Sequence, residues 1–190
     1  MMDGITEEDY SPMYLAIIER YKDYIEDRES ISVAELPRLI SPKSEAVLSK
    51  IGEIKQELSP YAYNNDFKEA ARRAFYFVKD KVKEVLLPLQ FWFTPEETLA
   101  FMMGDRMDKG ILLCSMLVAL GNPSAKVLMR IKGEEKKILV HYEFGEKTFV
   151  MDIDDGINEF PSKEKMLEWL SIGEDTIAYE FNNQSYIDIN

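Results

Sequence analysis

Apolar residues recur at steps of three and four through the first half of the chain and alternate singly through much of the second. Ser11-Pro12 makes an N-cap and first-turn pair, followed by Tyr14, Ile18, Tyr21 and Ile25, which predicts an amphipathic helix over about 12–27. ESIS and Pro37 interrupt. Ser41-Pro42 then predicts a second helix, with Val47, Leu48, Ile51, Ile54 and Leu58 on one face, stopped by Ser59-Pro60. Phe67, Ala70, Ala74, Phe75, Val78, Val82 and Val85 mark a third, ending before Pro88. Thr94-Pro95-Glu96-Glu97 reads as a capping box with proline at the first helical position, opening a short helix to about Met103.

Gly104 breaks that helix, and Asp105 is placed to cap the next, with Asp108 in its first turn. From Met107 to Leu120 the pattern is apolar almost all round, as in a helix buried on every side. After Gly121-Asn122-Pro123 the period changes to two: KVLMRI, ILVHYEF and KTFVMDI read as strands, the last two joined by a hairpin at Gly145-Glu146. Pairing Phe144 with Lys147 puts Ile138, Val140, Tyr142, Phe149, Met151 and Ile153 on a core face. Lys137, Leu139, His141, Val150, Asp152 and Asp154 then share the other face, expected to be mostly polar. A short helix over 161–170 and the strands TIAYEF and SYIDI complete an α+β fold in which a buried central helix packs on an antiparallel sheet, preceded by N-terminal helices.

Composition narrows the chemistry. At 190 residues and 46% hydrophobic, the chain suits one buried core, read as a helical extension over 1–62 and a core domain over 63–190. Its net charge is −12, and residues 145–190 carry eleven Asp/Glu against three Lys/Arg, so nucleic acid is not an expected partner. No leader pattern opens the sequence, and the apolar run 111–120 is too short to span a bilayer; a cytoplasmic protein without membrane contact is expected. One cysteine and one histidine exclude an internal disulfide and zinc clusters of the Cys/His kind. Gly-x-Ser-x-Gly, His-Glu-x-x-His, phosphate-loop and dinucleotide-binding patterns do not occur, and no cofactor is expected. Asp152, Asp154, Asp155 and Gly156 lack the spacing and closing glutamate of a calcium loop, so they are read as solvated carboxylates and no metal site is expected. The aromatic run Phe91-Trp92-Phe93 is expected to anchor its loop on the core, as Trp169 anchors its helix.

AFYFVKDKVKEV, TPEETL, GDRMDKGILLCSMLVALG, SAKVLMRI and the HYEF to VMDID hairpin together resemble the transglutaminase-like family, a branch of the papain-like cysteine proteinase architecture. In that family Gly-Asp-Cys-x-Asp opens a buried helix, and a histidine and an aspartate follow on adjacent strands. Gly104, Asp105, Asp108, Leu113, Leu117 and Gly121 match, whereas Arg106 stands where the resemblance sets the nucleophile. A thiolate there gains from unpaired helix N–H groups and an imidazole; a guanidinium has no comparable nucleophilic chemistry. The resemblance gives the aspartate to Asp152, and the histidine either to His141 or, counting fifteen back from Asp152, to Lys137.

The reading is a transglutaminase-like domain without the catalytic cysteine, serving a non-catalytic binding or structural role through the ancestral cleft. Arg106, Lys137 and Asp154 are its candidate ligand-binding residues, and a protein, peptide or small anion its partner. The bland use of Arg106 is an ion pair with Asp108, Asp152 or Asp154. The alternative is an active hydrolase or acyltransferase on protein or peptide substrates, working through Cys114 or His141, although Cys114 lies more than two turns inside an apolar helix.

Overall fold

A computed structural model describes residues 19, 22–23, 32–85, 92–173 and 175–189. The helix expected over 12–27 lies outside the described residues except at 19, 22 and 23, which are helical, and Phe91 also lies outside them. A 3-10 helix, Val33–Leu39, is capped by Ser32 and Glu35 and accommodates Pro37. Helix α1 (Glu45–Glu57) starts at Ser44, whose Oγ accepts from the Val47 N–H, three residues later than Ser41-Pro42 suggested. Helix α2 (Tyr63–Lys81) is followed by a two-residue strand β1 (Lys83–Glu84), so the helix ends before Val82 and Val85. Helix α3 (Pro95–Phe101) carries the expected Thr94/Glu97 capping box, and β2 (Met103–Gly104) pairs in parallel with β1.

Helix α4 (Arg106–Ala119) is the centre of the molecule. Every residue from Met107 to Leu117 is buried. Its all-round apolar surface is met by α1, α2 and α3 on one side and by β3 (Lys126–Lys132) and β4 (Glu135–Phe144) on the other. Each large apolar side chain so enclosed contributes about 1.5–3 kcal/mol. Gly110 lets the helix approach the sheet, since a Cβ there would sit 3.0 Å from Ile138 Cγ2. Val47, Ile51 and Ile54 of α1 join the same core as α4 and the sheet. Phe67 of α2 meets the Tyr142 ring edge-on at 5.2 Å, and Tyr142 stacks on Phe149 at 5.1 Å.

Strands β5 (Lys147–Asp152), β6 (Gly156–Phe160), β7 (Ile177–Phe181) and β8 (Tyr186–Asp188) complete an antiparallel sheet in the order β6-β5-β4-β3-β7-β8 among the described residues. The hairpin register is the expected one, with Phe144 opposite Lys147 and Leu139 opposite Asp152. Strand β6 was not expected, because INEF is short and ends a loop-like Asp-Asp-Gly turn. The sheet's second face departs from expectation more seriously. Helix α5 (Lys163–Trp169) covers it, enclosing Leu128, Leu139, Val150, Met166 and Leu170 in a second small core. His141, Asp152 and Glu180 are buried there as well. The polar positions of that face are paired with one another instead of with water.

Candidate functional site

A short local code shapes the front of α4. Met102 leaves α3 in the left-handed region (φ 53°) and turns the chain into β2. Gly104 then passes so close to α4 that a Cβ would stand 2.7 Å from the Asp108 Cβ. Asp105 Oδ1 accepts from the Asp108 N–H at 2.8 Å, and Asp108 Oδ2 accepts from the Asp105 N–H at 2.8 Å, a reciprocal cap. Asp108 Oδ1 also accepts from the Phe93 N–H at 2.7 Å, so one carboxyl ties the loop before α3 to the cap of α4. Burial, and then the neighbouring Asp105 carboxylate, push the Asp108 carboxyl up to about 7, against the pull of those backbone donors.

Arg106, the first residue of α4, is 48% exposed at its side chain and reaches across the mouth of the helix. Its Nε lies 3.2 Å from Glu84 Oε1 on β1, and its Nη2 lies 3.4 Å from Asp154 Oδ2 in the β5–β6 turn. Lys79 at the end of α2 donates to the Asp154 carbonyl at 3.2 Å. A groove of about 270 Å³ opens here, lined by Glu84, Asp105, Arg106, Met107, Lys136 and Ile138. Of the residues singled out from sequence, Arg106 and Asp154 meet.

The others are directed elsewhere. α4 packs against the face of β4 that carries Ile138 and Val140, and Lys137, His141 and Asp152 alternate onto the opposite face. Lys137 Nζ lies 2.9 Å from Asp152 Oδ2 and 2.7 Å from Asp155 Oδ2; those partners raise the Lys137 ammonium, and Lys137 holds the Asp155 carboxyl below its ordinary value. His141 Nε2 lies 3.2 Å from Glu180 Oε2, without hydrogen-bond alignment. Glu180, fully buried, also takes Lys126 at 2.6 Å and Lys163 at 2.7 Å on Oε1. Burial pushes the Glu180 carboxyl up, but His141, Lys126 and Lys163 outweigh it and hold the group well below the usual carboxylate range. The choice between His141 and Lys137 therefore has an unforeseen outcome: the β4 residues that line the groove beside Arg106 are Lys136 and Ile138. Cys114 is sealed in the core with its Sγ 3.4 Å from the Ala125 carbonyl, and burial pushes its thiol up to about 12.

No family model matches the sequence, and no curated protein does. Solved structures do match. LapG of Legionella pneumophila aligns over 82% of this chain and 87% of its own, with 16% identity and a TM-score of 0.53. Its calcium-bound form gives the same figures, and its EGTA-treated form aligns over 84% of this chain and 87% of its own, with 15% identity and a TM-score of 0.54. The shared fold is papain-like, with helices packed on an antiparallel sheet. At that identity the likeness carries the fold and nothing finer.

Sequence reasoning missed Glu84 and Lys79, which lie more than twenty residues before Arg106 and come to it only through the β1–β2 pairing and the end of α2. It also passed over Lys109, although the one cation inside the run from Met107 to Leu120 was a visible irregularity.

Proposed function

We propose that this chain is a non-catalytic binding protein that keeps the transglutaminase-like fold and meets its ligand at the groove over the N-terminus of α4. The observation that carries this reading is the occupant of that terminus. Where the family resemblance sets a thiol, Arg106 spans from Glu84 to Asp154, while the chain's one thiol and one imidazole are enclosed elsewhere. An activated nucleophile requires its base within hydrogen-bond reach. Neither Cys114 nor Arg106 has His141 as a neighbour in that sense, because His141 sits against Glu180 on the other side of the sheet. The groove still offers what a binding site uses: a concave surface, an apolar floor in Met107 and Ile138, and charged groups at its rim.

The calcium named for one LapG form has no counterpart proposed in this chain. Among the described residues no three His, Cys, Asp or Glu side chains converge as metal ligands. Asp152 and Asp155 are bridged by the Lys137 ammonium, a poor fit to a cation.

The test is hydrolysis of unfolded casein between pH 5 and 9, comparing native protein with Arg106→Cys. Neither is expected to release acid-soluble peptides, since a thiol at 106 gains no imidazole. Turnover by the native protein overturns the non-catalytic reading, and turnover by the variant overturns the separation of the groove from any activating base.

A further inference from the structure

Among the described residues the sheet ends at β6, which pairs with β5 on one side and with no strand on the other. The β6 backbone groups that point away from β5 make no hydrogen bond to another described segment. Proteins commonly blunt such an edge with a proline, a bulge or a covering loop. Strand β6 instead matches β5 residue for residue over Gly156–Phe160 and contains no proline.

Both faces of this edge are furnished for a neighbour. On the face that α2 covers, a groove of about 550 Å³ separates α2 from β6, against about 270 Å³ for the groove over α4. Its floor is Tyr142, Phe149 and Ile157, and its wall is Lys68, Arg72 and Tyr76, which fall on one side of α2. On the opposite face Trp169 of α5 leans on Phe160 of β6, with ring centroids 5.1 Å apart, and stays 46% exposed.

The charges of the groove select its occupant. Lys68 Nζ lies 4.6 Å from the Phe149 ring centroid and 3.5 Å from Glu159 Oε2. Arg72 sits over the Tyr76 ring and forks onto Glu69 with two bonds of 2.8 Å. Both carboxylates are shared, because Glu159 also pairs with Lys147 and Glu69 also accepts from Arg73 Nε at 2.9 Å. Arg73 in turn meets Glu57. Lys68, Arg72, Arg73 and Lys147 thus face only Glu57, Glu69 and Glu159, a local surplus of positive charge in a chain whose net charge is −12. The Lys68 and Arg72 side chains are half exposed, so a further anion can reach them.

We propose that the β6 edge takes an extended, acidic polypeptide segment as an added strand, its carboxylates turned into the groove toward Lys68 and Arg72 and its apolar side chains turned to Phe160 and Trp169. Successive strand residues point to opposite faces, so one pattern, acidic and apolar by turns, meets both. A second copy of this chain fits worse, since pairing two β6 edges brings both surpluses of positive charge to one seam. None of these residues lines the groove over α4, so this surface is additional to the one proposed above.

The experiment titrates the ¹⁵N-labelled full chain at neutral pH with acetyl-Glu-Leu-Glu-Leu-Glu-Leu-amide and follows its backbone amide resonances. The comparison peptides are the block-ordered acetyl-Glu-Glu-Glu-Leu-Leu-Leu-amide, the alternating peptide with lysine in place of glutamate, and the alternating glutamate peptide methylated at every backbone nitrogen. Saturable shifts over Gly156–Phe160, with slowed hydrogen exchange there, are expected from the alternating glutamate peptide alone. Lys68→Gln combined with Arg72→Gln should weaken that binding about tenfold, and Trp169→Ala about threefold, each with an unchanged far-UV circular dichroism spectrum. Absence of saturable shifts on β6, equal binding of any comparison peptide, or undiminished binding by either variant overturns the proposal. Concentration-dependent dimerisation that itself protects the β6 amides also overturns it, by giving the edge to a second copy.

Discussion

Asp108 carries more of the local structure than any other residue at the front of α4, because its two oxygens accept from two segments of backbone while it lies out of water. Its folded value of about 7 stands above its ordinary 3.8. The folded state therefore binds the proton more tightly than the unfolded state, and the stability this contributes is complete below about pH 3.8 and lost as the pH rises toward 7. Asp108→Asn should flatten the fall in thermal midpoint between pH 4 and 7; an unchanged slope would contradict the assignment. Gly104→Ala drives a Cβ into Asp108 and should cost about 1–3 kcal/mol by denaturant titration. Asp105→Ala removes the cap and should cost about 1 kcal/mol. Both residues were legible in the sequence, as the break and the cap before an apolar run. The Asp108 bond to the Phe93 amide was not, since only the fold brings the two together.

The β4–β5 hairpin and helix α4 were read correctly as elements because period and capping are local properties of the chain. The second face of the sheet was read as solvated because a polar residue facing water and one facing an opposite charge give the same pattern. Glu180, His141, Lys126 and Lys163 are the instance: three strands and α5 each supply one polar side chain to a single enclosed cluster. Removing the common partner takes the counter-charge from the partly buried ammonium groups of Lys126 and Lys163, so Glu180→Gln should destabilise the protein by about 3–5 kcal/mol, measured by urea unfolding at pH 7. Since the Glu180 value is lowered on folding, its contribution is present above the ordinary 4.5 and is lost as the pH falls below it toward the folded value. The loss on substitution should accordingly shrink in acid. A substitution as well tolerated as one at an exposed ion pair, within about 1 kcal/mol, would mean the cluster is hydrated.

At the scale of the molecule, the sheet separates two regions that sequence reasoning had merged. On one face α4 presents a helix terminus and a paired guanidinium. On the other lie the imidazole and the carboxylate that the family resemblance would assign to catalysis. Asp154 was one of three carboxylates anticipated as a partner of Arg106, and the alternation that sets His141 and Asp152 on the face opposite Ile138 and Val140 was legible in the hairpin register. The central claim is that the native protein holds no activated nucleophile. Intact-mass measurement after exposure to excess iodoacetamide at pH 7.5, before and after unfolding in guanidinium, tests it most directly. The account predicts an unmodified native protein and a Cys114 adduct only once the chain is unfolded; stoichiometric modification of the native protein, at Cys114 or His141, would contradict it.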